Sequence, residues 1–130
     1  MDISPFVIAD DDIDDLQLVV SAIHSFIGEF QPVLQVSSGK ELMSLLSKDD
    51  LVPALLLIDM HMPYLGGAEL LRLLKGIDRL QTVPTILISG DKHNLEAAYQ
   101  AGADGFYTKP SSLDEYYEVI LDLKRSYLSP

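Results

Sequence analysis

The chain contains no cysteine, which excludes disulfide stapling, thiolate metal ligation and thiol nucleophiles together. It has no apolar run approaching the roughly 18 residues that a membrane span requires. The opening Met1-Asp2-Ile3-Ser4-Pro5 carries an early acid and no basic start, so it does not read as a signal peptide. A cytoplasmic location is the resulting expectation. Basic residues are scarce: 9 Lys plus Arg stand against 20 Asp plus Glu, a formal charge of −11. Nucleic-acid affinity rests largely on neutralising phosphates with Lys and Arg, so direct binding to DNA or RNA is not expected. Solubility is the simplest explanation of the acid excess. Linkers, repeats and low-complexity segments are missing too.

What is present is the material of one core. A length of 130 residues is about one domain, and 48% apolar with 22% charged residues falls in the globular range. Short apolar runs without strict alternation read as strands buried on both faces: Phe6 to Ala9, Val33 to Val36, Leu55 to Ile58, Thr85 to Ile88 and Gly105 to Thr108. Between them lie helical patterns. Leu16, Val19, Val20, Ile23, Phe26 and Ile27 share one helix face, with Gly28 placed to end it. Ser38-Gly39-Lys40-Glu41 and Ser112-Leu113-Asp114-Glu115 have capping-box spacing and open the second and fifth helices. The third is expected over about Gly67 to Lys75, the fourth over about Asn94 to Ala101, and the fifth as far as about Tyr127.

Strict strand–helix alternation predicts an open α/β sheet with helices on both faces, and the chain is too short for an eightfold barrel. The flavodoxin-like (βα)5 doubly wound parallel sheet, strand order 2-1-3-4-5, is the expected fold. Ligand sites in such sheets lie beyond the carboxyl ends of the strands, where the order reverses. The first strand ends in Asp10-Asp11-Asp12 and the third in Asp59. Carboxylates converging there repel one another unless protonated or bridged by a cation, and an all-oxygen set suits Mg²⁺. Asp12, Asp14 and Asp15 have a simpler explanation as helix-start acids. The fourth strand ends at Ser89 and the fifth at Lys109, a hydroxyl and an ammonium suited to phosphoryl oxygens.

Phe6-Val7-Ile8-Ala9-Asp10-Asp11, Asp59-Met60-His61-Met62-Pro63, Ile88-Ser89-Gly90 and Lys109-Pro110 together resemble the four signatures of bacterial response-regulator receiver domains, including the chemotaxis regulators. The spacing agrees, and the resemblance covers essentially the whole chain. It implies a single receiver domain over residues 1–130 without an effector domain. Asp59 would be the phosphoacceptor, and Asp10, Asp11, Asp59 and the backbone carbonyl of His61 the Mg²⁺ ligands. Ser89 and Lys109 would contact the phosphoryl oxygens and share the catalysis. The donor would be a histidine kinase or a histidine phosphotransfer protein.

Ser89 and Phe106 fall on the family's switch positions, and Lys109-Pro110 on its cis peptide. Phe106 reads equally as an aromatic covering an edge strand. His61 and Asp91 flank the entrance to the acceptor, where they would tune phosphoryl lifetime; His61 is otherwise an ordinary exposed loop residue. An unchanged dephosphorylation rate in His61→Ala would reject that role. The fourth helix, fifth strand and fifth helix, with Tyr99, Phe106, Tyr116 and Tyr117, would meet a downstream protein target. Gly66-Gly67 stands where the family usually has Asp-Gly, which leaves the following loop more permissive. Two other classes fit less well: a phospho-aspartyl phosphotransfer enzyme, for which a substrate pocket and cap have no room, and a module that has lost phosphorylation, which normally lacks one of these residues.

Overall fold

The apolar runs pair through their backbones as one parallel sheet: β1 (Phe6–Ala9), β2 (Val33–Val36), β3 (Leu55–Asp59), β4 (Thr85–Ser89) and β5 (Gly105–Thr108). The computed structural model describes residues 4–47, 50–63 and 65–128. Met1 to Ile3, and the approach of the last helix to Pro130, lie outside the described residues. Strand order is β2-β1-β3-β4-β5, as the alternation predicts. β1, β3 and β4 are buried throughout. The flanking strands differ from the expectation of two covered faces, because β2 exposes Leu34 and Gln35, and β5 is only partly covered. They form the sheet's two edges.

Five helices connect the strands: α1 (Ile13–Phe26), α2 (Gly39–Leu46), α3 (Gly67–Lys75), α4 (Leu95–Gln100) and α5 (Leu113–Leu123). Alternate strand residues face opposite ways. Val7, Ala9, Leu56, Ile58 and Leu87 pack with Leu42, Leu46, Leu70, Leu71, Leu74 and Ala98 of α2, α3 and α4. Phe6, Ile8, Leu55, Leu57, Ile86 and Ile88 pack with Leu16, Val19, Ile23, Tyr116 and Ile120 of α1 and α5. The central strands are therefore held from both sides, which fixes where their last residues lie.

Local chemistry sets the helix starts. Asp12 caps α1 by accepting from the Asp14 and Asp15 N–H groups. Ser38 and Ser112 cap α2 and α5 through the Glu41 and Glu115 N–H groups. The two glutamates reach one residue further back than the capping box anticipates, accepting from the N–H and hydroxyl of Ser37 and Ser111. Gly28 at φ +148 and Gly102 at φ +103 end α1 and α4 in backbone that side chains disfavour. α5 gives way at Lys124 to a π turn through Leu128, where the Tyr127 hydroxyl donates to the Asp104 carbonyl at 3.1 Å.

Candidate phosphoryl and metal site

Parallel pairing places the ends of β1, β3, β4 and β5 along one sheet edge, and the chemistry follows from their last residues. Asp10 leaves β1 with its N–H on the Val36 carbonyl at 3.1 Å, and its Oδ1 accepts from the Asp12 N–H at 2.9 Å. Asp59 closes β3, and its Oδ1 accepts from the His61 N–H at 3.0 Å. Each carboxylate is thus oriented by its own following turn. Both are buried, at 5% and 4% exposure. Asp11 is exposed, and oxygens of Asp10, Asp11 and Asp59 lie within 4.8 Å of one another. That spacing fits one hard cation held by oxygen.

Lys109 leaves β5 with its N–H on the Ser89 carbonyl at 2.6 Å. Its Nζ lies 2.9 Å from Asp10 Oδ2, 2.9 Å from Asp15 Oδ2 and 3.3 Å from Asp59 Oδ2. Burial pulls the Lys109 ammonium toward neutrality, but hydrogen bonds to Asp15 and Asp10 and the charges of Asp10 and Asp59 outweigh it and raise its pKa. Burial pushes Asp10 up to about 6, and the Asp59 charge adds to this, against the Asp12 N–H and Lys109. The reach of Lys109 does not depend on a cis bond. No described peptide bond is cis, which corrects the expectation for Lys109-Pro110; trans is the favoured isomer even before proline.

Ser89 is fully buried. Its Oγ accepts from the Asp91 N–H at 3.0 Å and from Asn94 Nδ2 at 2.9 Å, and lies 3.1 Å from His61 Nε2. Asn94 Nδ2 is 2.7 Å from the same imidazole nitrogen. The Asp91 carboxylate accepts from the His93 N–H and meets its ring Nδ1, both at 2.9 Å. The backbone bond from His93, then the bond from its ring, holds the Asp91 carboxyl below the usual range. Phe106 is half-buried against the α2–α3–α4 side of the core.

The structure therefore brings Asp10, Asp59 and Lys109 into direct contact with Asp11 beside them, and joins Ser89 to His61. Asp91 meets Ser89 only through its backbone. Two participants escaped sequence reading. Asp15, taken as a helix-start acid, is a partner of Lys109. Asn94, taken as the start of the fourth helix, bonds Ser89 and His61. A glycine role is corrected as well. A Cβ on Gly67 would stand 2.8 Å from the Asp59 carbonyl oxygen and the Met60 Cα, so that position is tight rather than permissive.

A doubly wound sheet with carboxylates, a hydroxyl and an ammonium at its switch point defines a class, and the chain belongs to the response regulator receiver domain family, which matches residues 6–121. The response regulator GacA of Pseudomonas protegens is 33% identical over 124 residues, covering 91% of this chain and 57% of that protein. The chain thus spans a little over half the length of that relative. Among solved structures, the phosphorylated cyanobacterial phytochrome response regulator RcpA superposes with a TM-score of 0.84 at 21% identity, over 98% of this chain and 96% of that one. The Mn²⁺-bound response regulator Rcp1 gives 0.82 at 18% identity, over 97% and 95%. These two likenesses show the fold.

Proposed function

We propose that this receiver is a phosphorylation switch in which Asp59 accepts a phosphoryl group from a histidine kinase or a histidine phosphotransfer protein. The observation that carries the reading is the contact of Lys109 with both Asp10 and Asp59 at the carboxyl edge of the sheet, next to buried Ser89. In the transfer an Asp59 oxygen forms the O–P bond while the P–N bond of phosphohistidine breaks. The electron pair of that bond stays on the imidazole. Lys109 supplies a fixed positive charge for the phosphoryl oxygens, and the Ser89 hydroxyl supplies a donor. Asp10, Asp11, Asp59 and the His61 carbonyl would hold Mg²⁺, which offsets the charge that builds up in transfer. The Mn²⁺-bound and phosphorylated relatives support this choice of chemistry.

A phosphoryl group adds about 1.5 to 2 negative charges at the sheet edge. Drawing Ser89 toward it would favour an inward Phe106 and alter the α4–β5–α5 face for a downstream protein, in the cytoplasm. Tyr99, 49% exposed, and Leu95, 46% exposed, are the large apolar groups that face offers; Tyr116 is core, and Tyr117 packs edge-on against Phe26. His61 and Asp91 would adjust the lifetime of the phosphoryl group. Intact mass after incubation with Mg²⁺ and acetyl phosphate or phosphoramidate tests the reading. One phosphoryl group is expected on the wild type and none on Asp59→Asn or without metal. No gain with several donors, despite Mg²⁺ binding, would overturn it in favour of a constitutive binding module.

A further inference from the structure

Asn94 ends a 3-10 turn, Lys92–Asn94, that runs directly into α4 and is capped by Asp91 through the His93 N–H. The Asn94 side chain makes no cap bond. Its amide nitrogen is directed at Ser89 Oγ, at 2.9 Å, and at His61 Nε2, at 2.7 Å. The third side of this triangle is the 3.1 Å contact between His61 and Ser89. The Asp91 N–H supplies another donor to Ser89 Oγ. A hydroxyl oxygen has two lone pairs, so Asp91 and Asn94 together occupy both and His61 Nε2 cannot donate to it; the single lone pair of Nε2 is shared between the Ser89 hydroxyl proton and the nearer Asn94 amide. With Nε2 accepting, the ring proton sits on Nδ1.

We infer that Asn94 is a positioning residue that latches Ser89 and His61 together in the unphosphorylated site. The inference rests on Asp59 being the acceptor and deepens that reading. In the latched arrangement the Ser89 hydroxyl proton is engaged by the imidazole. Donating it to an incoming phosphoryl oxygen requires Ser89 to leave His61, and the Asn94 amide holds both members in place. Asn94 thereby slows entry into the phosphorylated state and ties the start of α4 to the state of Ser89.

The test measures phosphorylation rates by intact mass, with acetyl phosphate and Mg²⁺, in wild type, Asn94→Ala, Ser89→Ala and the double variant. Asn94→Ala should accelerate phosphorylation about two- to tenfold, the range that one net hydrogen bond corresponds to, and the gain should vanish in the Ser89→Ala background. Long-range proton–nitrogen NMR of the neutral His61 ring should find Nδ1 protonated in the wild type and a shift toward the other tautomer in Asn94→Ala. Acceleration that persists without Ser89 would mean that Asn94 merely obstructs the entrance, and the latch would be overturned. No acceleration, with a wild type that takes up phosphoryl normally, would overturn the latch and leave Asp59 standing. A wild type that takes up none would remove the acceptor reading and the latch with it.

Discussion

Asp10, Asp15 and Asp59 share the single ammonium of Lys109, with Asp11 close by, so the site holds more negative than positive charge. Burial strips the Asp10 carboxylate of water and the Asp59 charge adds to this, so its pKa is pushed up to about 6 despite the Asp12 N–H and Lys109. A carboxyl whose folded pKa lies above its unfolded value binds its proton more tightly when folded. Its contribution is therefore full at pH below about 4 and is lost as pH rises through about 6. Without metal, this part of the stability should fall by on the order of 2 kcal/mol across that window. Asp10→Asn should remove the loss. Urea midpoints across the window in the presence of a chelator check both, and a slope unchanged by the substitution would reject the assignment to Asp10. The excess was legible because Asp10 and Asp59 end apolar runs, where a charge needs a reason. Asp15 was not, since an acid in the first turn of α1 already has a local explanation. Its approach to Lys109, from the far end of the sequence, exists only in the fold.

The elements do more than carry these residues, because the turns after the strands aim them. The chain leaving β3 runs so close to the start of α3 that the Gly67 N–H donates to the Met60 carbonyl at 3.0 Å. A methyl at Gly67 would stand 2.8 Å from the Asp59 carbonyl oxygen and from the Met60 Cα. Both are backbone atoms and have no rotamer by which to yield. Gly67→Ala should therefore destabilise the fold by about 1–3 kcal/mol and lower the phosphorylation rate by displacing Asp59. Denaturant midpoints and uptake of phosphoryl mass check it, and a variant of wild-type stability and rate would show that the loop relaxes freely. Asn94 presents the opposite case, a helix-start residue whose side chain is taken up elsewhere. Helix and strand positions were legible because caps and apolar periodicity are local. The tightness at Gly67 was not, because a glycine pair in sequence shows freedom and gives no sign of the backbone packed against it. The π turn after α5 escaped in the same way, depending on Tyr127 reaching Asp104 across the fold.

At the scale of the whole molecule, the strand order turns four distant stretches of sequence into one site. That order was legible because strict alternation in a chain of this length leaves few topologies; which acids meet the lysine was not. The same molecule carries a net charge of −11, and self-repulsion of that kind weakens any compact state and is relieved by any salt. Mg²⁺ should therefore stabilise the protein in two separable ways. Screening grows gradually with ionic strength and is shared by KCl. Binding at Asp10, Asp11 and Asp59 would saturate, and at ten times its dissociation constant would add about 1.4 kcal/mol. For a domain of this size that corresponds to a rise in Tm of roughly 3–8 °C. Thermal melts near neutral pH, with Mg²⁺ set against KCl at matched ionic strength, should show a saturable Mg²⁺ increment that Asp11→Asn reduces and Asp59→Asn nearly abolishes. Asp59 is the more damaging loss because Asp11, being exposed, is the more readily replaced by water as a ligand. An increment that KCl reproduces, or that survives both substitutions, would assign the effect to general screening and take the metal away from these carboxylates.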